Sequence, residues 1–596
     1  MKNTPFTPSF LPPEEVRAEY LNLLKTWLDA LLSYAVRDEK HPVLDGAIIC
    51  PACSVVHGRC GDAVYPLLCL ARRTGDTRYL DAAKKLFRWS QNLLCDDGSI
   101  YNDSQSTWNG VTVFSALSLV KALKYHSSLL DPREKAAWEA RLLLHANWLK
   151  TGITVHKKSN VNYVAANAAA MALCGEYFSD GEMLLLSKEL LHFALEHVSE
   201  NDLIFGEGSL LKSATPGGQC AVDMGYNVEE TLPSLWDCAV SMKDEGALSR
   251  VRALARAHLA FMLPDGAWDN SFGTRNFKWT YWGSRTSDGC QALLNALGKT
   301  EGVFAEAAYR NLLLLKKCTS GLLYGGPDYR VHGEEACVHH AFCHAKALAQ
   351  ALDEGVNGFE RQPLPSDAPY SCISYPEIGT ARFARGPWRM TLCAGDFEYM
   401  KGGHASGGAL TLLWHKIAGP VCAVACTDYS LKEAHNQQLT RKKRLEGSLC
   451  PRIELSADGT AYSLAYDFGA DMEMSEEGET AEATVRGRLC DISHAPMSEN
   501  VSFLIQYALT PRGLSIRGRL GRPAPGARFV LPVLCPNAQE PKAEKDRITV
   551  RDRISVCAKD AAFTRPVFCL APGFEAAEIS VPLTGGEEFE VYIGAV

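Results

Sequence analysis

The sequence predicts a multidomain chain, α then β: an N-terminal (α/α)6-type toroid followed by an antiparallel β-sandwich. Three observations carry this. Apolar residues recur at i, i+3, i+4 and i+7 from residue 14 to about 355. The segment GFERQPLPSDAPYS (358–371), rich in Pro and polar residues, breaks the pattern. Beyond it the period falls to two, with β-branched runs between turn residues. The expected division is a helical domain at 1–357, a linker at 358–371 and a sandwich at 372–596.

The helical periods fall at 14–36, 60–73, 78–94, 110–130, 132–150, 162–178, 182–198, 230–242, 247–263, 287–297, 303–317 and 336–352. About twelve amphipathic helices in series suit a ring of helical hairpins, although no clean sequence repeat marks one. The strand-like runs include WRMTLCAGDFEYM, ALTLLWHKI, VSFLIQYALTPRGLSIRGRL and FEVYIGAV, which read as an all-antiparallel domain.

Composition narrows the function. Hydrophobic residues make up 46% and charged residues 22%, which excludes disorder for most of the chain. A formal charge of −8 excludes a nucleic-acid partner held by bulk charge. No apolar run approaches the roughly 18 residues that cross a bilayer, so no membrane partner is expected. The start, MKNTPFTPSFLPPEEVRAEY, lacks the apolar core of a signal peptide, and a cytoplasmic location is the expectation. A homo-oligomer is possible on a sandwich surface. The 21 cysteines are scattered and read as reduced thiols. Cys50-Pro-Ala-Cys53 has Cys60 nearby but no second ligand pair at matching spacing, so neither a metal nor a cofactor is expected.

Function should lie where loops collect polar and aromatic residues with no packing role. Four segments qualify. The first holds Trp108, Asn109, Asn160, Asn162 and Tyr163. The second, FGEGSLLKSATPGGQCAVDMGYNVEE (205–230), holds Glu207, Asp223, Tyr226, Asn227, Glu229 and Glu230. The third, DGAWDNSFGTRNFKWTYWGSRTSDG (265–289), crowds Asp265, Asp269, Asn270, Arg275, Lys278, Trp279, Tyr281, Trp282, Arg285 and Asp288 together. The fourth is KGGHASGGALTLLWH (401–415).

In the third segment, aromatic faces would stack on sugar rings, and Arg and Lys would bind a carboxylate. That mix fits an anionic sugar, most simply a uronic acid. In the second, Asp223, Tyr226, Glu229 and Glu230 are possible proton donors and acceptors at a loop-to-helix junction. The blander reading makes Asp223 part of a helix cap and the glutamates complements of the helix dipole. Cys337, His339, His340, Cys343 and His344 share one predicted helix. A core helix is the reading preferred there over a metal site, with one histidine, His339 or His340, able to face a cavity.

The order of domains and the glycine-flanked histidine of GGHASGGALTLLWHKIAGP (402–420) resemble the heparinase II/III-like superfamily of carbohydrate-active enzymes. Its members combine an (α/α) toroid with an antiparallel β-sandwich. His404 matches the histidine of a Gly-His-x-His-Ala-Asp-type sequence, but Ser406 stands where the acidic residue is expected. In the lyase members a Tyr and a His transfer protons while an Asn or Arg neutralises the uronate. Tyr226, His404, Asn162 and Arg285 could match those roles.

The resemblance also includes exo-acting β-glucuronidases. Three readings follow. The first, taken as the main expectation, is a glycoside hydrolase that releases terminal glucuronic acid from oligosaccharides. Its acid would be Asp223, Glu229 or Glu230, and its base or nucleophile Asp265 or Asp269. Arg275, Lys278 and Arg285 would bind the carboxylate, with Trp279 and Trp282 as the sugar platform. Trp108, Asn160, Asn162, Glu207, Asn227, Tyr281, His339 and His340 complete the expected binding set. The second is a lyase acting by β-elimination through Tyr226 and His404. The third is a non-catalytic glycan-binding protein.

Overall fold

A computed structural model describes residues 9–38, 40–103, 106–152, 160–427, 429, 448–535, 541–583 and 588–596. Its helices are α1 (Pro13–Ser33), α2 (Val64–Thr74), α3 (Thr77–Trp89), α4 (Thr112–His126), α5 (Pro132–Thr151), α6 (Val161–Phe178) and α7 (Gly181–Leu195). There follow α8 (Met224–Tyr226), α9 (Leu232–Met242), α10 (Glu245–Leu259), α11 (Gln291–Gly298), α12 (Gly302–Lys317) and α13 (Val338–Glu354).

Leaving aside the short α8, the helices pair as α2–α3, α4–α5, α6–α7, α9–α10 and α11–α12, and α13 pairs with α1. The first member of each pair also packs on the next, and α13 returns to α2. The result is a closed inner ring inside an outer one, the toroid that the helical spacing predicts. Ring position explains composition. α6 and α13 are buried on nearly every side; α6 carries small residues around most of its surface, and α13 buries His339, His340, His344 and Lys346 among its alanines. The outer helices α3, α5, α7 and α10 each begin at an aspartate, Asp76, Asp131, Asp180 and Asp244, whose side chain accepts from first-turn N–H groups.

The C-terminal part is antiparallel throughout the described pairings. A five-stranded sheet runs Tyr370–Tyr375, Thr380–Arg385, Trp388–Cys393, Ala409–His415 and Gly419–Ala423 as sequential neighbours. Further sheets of eight and five strands complete the sandwich. Strands Trp388–Cys393 and Ala409–His415 are buried along their whole length, because both faces of this sheet are covered. One face meets the eight-stranded sheet, where the Tyr507 hydroxyl donates to Gly408 O at 2.9 Å. The other meets the toroid through the loop after α10. Thr391 Oγ1 donates to Asp269 Oδ2 at 2.7 Å, and Ser271 Oγ lies 2.9 Å from Thr411 Oγ1.

No helix among the described residues is long and apolar enough to cross a membrane. No disulfide joins the described cysteines.

Candidate active site

The site is built where α8 meets the hairpin formed by Trp279–Thr280 and Gly283–Ser284. Met224 to Met242 is one continuous helical stretch interrupted by a π-helical turn, Asn227–Thr231. Pro233 accounts for the interruption. Its ring would strike the carbonyl of Glu229 in a regular α-helix, and it offers no N–H. The widened turn removes the clash, and Leu232 N–H bonds to Asn227 O. Asp223 caps the start, its Oδ1 accepting from Tyr226 N–H at 3.0 Å.

Tyr226 is the focus of this junction. Its phenolic oxygen lies 2.6 Å from Thr286 Oγ1 and accepts from Lys278 Nζ at 2.9 Å. The Arg275 guanidinium stands 5.3 Å from the Tyr226 ring centroid and donates to Glu207 Oε2 at 2.9 Å. Glu207 Oε1 in turn accepts from Asn162 N–H at 2.9 Å, which ties the start of α6 to the same cluster. Burial raises the Tyr226 phenol well above its usual range, against the opposing pull of Arg275. Burial likewise pushes Glu207 up to about 7 despite its pairing with Arg275.

A charged network surrounds this core. Arg59 donates to Asp62 Oδ2 at 3.1 Å, Asp288 Oδ1 at 2.6 Å and Thr286 O at 2.9 Å. Lys346 of α13 bridges Asp62 at 3.0 Å and Asp288 at 2.7 Å. Although burial opposes it, Lys346 and Arg59 draw Asp288 down to about 2. Glu230 behaves oppositely. Neither of its buried oxygens has a hydrogen-bond partner among the described residues, and burial, reinforced by the Asp288 charge, raises it well above the carboxylate range. Burial therefore disfavours the ionised form of Glu230, which lies within electrostatic reach of Tyr226 and Tyr163. Tyr163 accepts from the indole of Trp108 at 2.9 Å, and Trp108, 44% exposed, is the open aromatic face beside the cluster.

Glu229 points elsewhere. Its Oε2 accepts from Ser284 N–H and Ser287 Oγ, both at 2.7 Å, and Oε1 lies 3.3 Å from His344 Nε2. It fastens the hairpin to the helix. Gly283 is required there, because an added Cβ would come within 2.1 Å of Glu229 Oε1. Gly225 is required on the facing side, where a Cβ would meet Ser284 Cβ at 2.7 Å.

Several expected roles need correction on this geometry. Trp279 and Trp282 are fully buried, with their indoles donating to Trp268 O at 2.9 Å and Tyr324 O at 2.7 Å, so they form no sugar platform. Tyr281 is buried and donates to Asp265 at 2.8 Å. Asp265 also accepts from Trp414 at 3.2 Å, and Asp269 accepts from Ser271 and Thr391, both at 2.7 Å. These two carboxylates secure the toroid to the sheet and face no substrate. Asn227 Nδ2 donates to Ile204 O at 2.8 Å and lies 3.1 Å from His258 Nε2, away from the cluster. His340 is wholly buried, its Nδ1 3.1 Å from Leu323 O and its ring edge-on to Trp282. Asn160 accepts from Gly208 N–H at 3.0 Å, at the N-cap of α6. Arg285 donates to Tyr429 at 3.2 Å, and the His339 ring lies tilted against that of His57 with centroids 4.4 Å apart.

His404 is buried with both nitrogens engaged in its own loop. Nε2 accepts from Tyr399 N–H at 3.0 Å and Met400 N–H at 3.1 Å, so Nδ1 carries the proton and donates to Asp396 Oδ2 at 3.0 Å. Neither nitrogen remains to exchange a proton with a substrate. The loop it shapes places Tyr399 5.6 Å from the Arg275 guanidinium. Asp396 also accepts from Gly273 N–H at 2.9 Å, linking this loop to the toroid. Ser406 Oγ accepts from Asp396 N–H at 3.1 Å, a structural use of the position where an acidic residue was expected.

Two family models match most of the chain: an ulvan lyase N-terminal domain over residues 24–366 and an ulvan lyase C-terminal domain over 373–595. The chain belongs to the ulvan lyase family. A broad-specificity ulvan lyase of Formosa agariphila is 34% identical over 583 residues, covering 94% of this chain and 91% of that one. Among solved structures, a chondroitin AC lyase of Streptomyces coelicolor matches with a TM-score of 0.52 at 11% identity, covering 98% of this chain and 82% of its own. A heparinase III matches at 0.49 and 11%, covering 99% and 85%. The chondroitin AC lyase likeness shows a shared fold. Membership in the ulvan lyase family overturns the glycoside hydrolase expected from the wealth of carboxylates. It agrees with the placement of Asp265 and Asp269 at the interface between toroid and sheet.

Proposed function

We propose that this chain is a polysaccharide lyase that cleaves ulvan by β-elimination at a uronate residue. The observation that carries the mechanism is the Lys278–Tyr226–Thr286 cluster, with Arg275 and Glu230 beside it. Elimination removes the proton on C5, forms a C4–C5 double bond and expels the O4-linked sugar, which takes up a proton. The C5 proton is acidic only if the adjacent carboxylate can accept charge as an enolate.

Tyr226 is the proton-transfer group: its phenolate oxygen takes the C5 proton, and the resulting phenol returns that proton to the departing O4. Lys278, touching its oxygen, and Arg275, near its ring, stabilise the phenolate as it forms. Thr286 fixes the direction of the O–H bond. The carboxyl of Glu230, whose ionised form burial disfavours, and the carboxamide of Asn162 supply hydrogen bonds to the developing enolate. Arg59 and Lys346 make the surroundings attractive to an acidic polymer, and Trp108 offers the open face for a sugar ring. His404 is a positioning residue for the Tyr399 loop.

The test is incubation with ulvan, followed both by ultraviolet absorbance of the conjugated double bond and by reducing-end release. Rising absorbance in step with new ends supports elimination. New ends without absorbance sink it.

A further inference from the structure

Outside this site, four side chains from distant parts of the toroid converge. Cys50 and Cys53 sit in a tight hairpin turn between α1 and the turn Gly58–Ala63. Cys50 N–H bonds to Val55 O at 2.9 Å, Ser54 adopts a left-handed φ of 57°, and Cys53 N–H donates to Cys50 Sγ at 3.4 Å. His57 follows immediately, and Cys337 is the N-cap of α13. Cys50 Sγ and Cys53 Sγ lie 3.8 and 4.0 Å from Cys337 Sγ, and His57 Nε2 lies 3.7 Å from it. All four ligand atoms lie within 4.8 Å of one another.

We propose that Cys50, Cys53, His57 and Cys337 bind one structural zinc(II) ion. Zn–S bonds of about 2.3 Å and Zn–N bonds of about 2.0–2.1 Å at tetrahedral angles separate sulfurs by about 3.8 Å and sulfur from nitrogen by about 3.6 Å. The observed spacings match this arrangement. They are nearly twice the roughly 2.05 Å of a disulfide, so Cys337 is not cross-linked to either partner. A three-thiolate, one-imidazole set is a soft donor set that selects zinc over magnesium or calcium. The Cys53 N–H to Cys50 Sγ bond is the kind of outer support that orients a thiolate.

Binding would release three thiol protons, with His57 entering neutral, leaving the centre with one net negative charge. Arg285 lies within electrostatic reach of both Cys337 and Cys53 and offsets that charge. Four protein ligands leave no position for water or substrate, so the ion is structural. It ties the loop that begins the Arg59 segment to α13, which carries Lys346. Arg59 and Lys346 both grip Asp288, so the ion would hold the cationic wall of the site in register. The geometry of the four ligands stands independently of the lyase reading.

The test uses the full chain, purified without chelator, and inductively coupled plasma mass spectrometry. The expected result is one zinc per chain, released in proportion as a mercurial titrates the thiolates. Reconstitution with cobalt(II) alone should give thiolate charge-transfer absorption and strong visible bands of a tetrahedral centre. Cys53→Ser and Cys337→Ser should each bind zinc at least about tenfold more weakly. Because the wild-type metal content is read directly, misfolding of a variant does not spare the proposal. Protein without zinc, or carrying iron in its place, overturns it. So does full zinc retention in folded Cys337→Ser.

Discussion

The hydroxyl of Thr286 lies 2.6 Å from the phenolic oxygen of Tyr226, while the Thr286 backbone adopts a φ of 107°. That region is hostile to a β-branched residue and costs about 1–3 kcal/mol. Arg59 holds the strained unit by donating to the Thr286 carbonyl, and Glu229 fixes the hairpin just before it. The strain aims one hydroxyl at one phenol. Thr286→Gly and Thr286→Ala both delete the hydroxyl, and both should lower kcat with little change in KM. Only glycine relaxes the backbone. Thr286→Gly should therefore be more stable than Thr286→Ala by about 1 kcal/mol in chemical denaturation, despite glycine's greater freedom when unfolded. Equal stabilities would remove strain from the account.

Tyr226→Phe keeps the ring against Arg275 and removes the oxygen that Lys278 and Thr286 address. Loss of a positioned proton-transfer group costs about 10²–10⁴-fold in rate. The variant should lose double-bond formation by at least that margin, remain folded by circular dichroism, and still retard on ulvan affinity gels. Lys278→Met should lower kcat and move the rising limb of the activity profile upward in pH, because the phenolate loses its nearest cation. An unchanged profile would assign Lys278 to substrate binding alone.

Glu207 gives a stability prediction with a defined sign. Its folded pKa of about 7 lies above the 4.5 of an unfolded chain, so the folded state holds the extra proton between those values. Its contribution is fully present below pH 4.5 and is lost as pH rises through about 7. Glu207→Gln cannot lose that proton. Its thermal midpoint should fall less steeply than wild type between pH 5 and 8 in scanning calorimetry. Parallel curves would show that Glu207 is ionised in the folded protein throughout.

The toroid was legible because helical spacing survives whatever the tertiary context, and the sandwich because its outer strands alternate. Tyr226, Glu207, Glu230, Arg275 and Lys278 could be found because loops crowded with such residues have no packing reason to be. The same crowding misled at Trp279 and Trp282. Those indoles are buried to build the hairpin, and sequence cannot separate an aromatic that stacks on a sugar from one that fills a core. Lys346 was missed because it lies in a stretch that reads as core helix, and Arg59 because it stands alone just before the helical period at 60–73. A lysine within the apolar run HAKALAQAL was the available signal for one of them. Thr286 left none, since its strain exists only once Arg59 and Glu229 hold it. Hydrolysis and elimination were inseparable for a similar reason, because a carboxylate that secures a sheet and one that attacks a sugar look alike in sequence.

Glu229 and Glu230 are adjacent yet have opposite surroundings, and the widened turn made by Pro233 separates them. Glu229 is saturated by Ser284, Ser287 and His344, whereas Glu230 has no hydrogen-bond partner among the described residues. Their conservative variants should differ accordingly. Glu230→Gln supplies a neutral hydrogen-bonding side chain and should preserve stability while lowering kcat. Glu229→Gln places an amide N–H₂ against donors that now address a carboxylate. It should cost about 1–3 kcal/mol of stability, as a buried polar contact left unmade does. Gly283→Ala should resemble it, since the added Cβ would press on the same carboxylate at 2.1 Å. Denaturation midpoints measured beside kcat separate the two classes. If Glu230→Gln proves the more destabilising and Glu229→Gln the more damaging to kcat, the two roles are reversed.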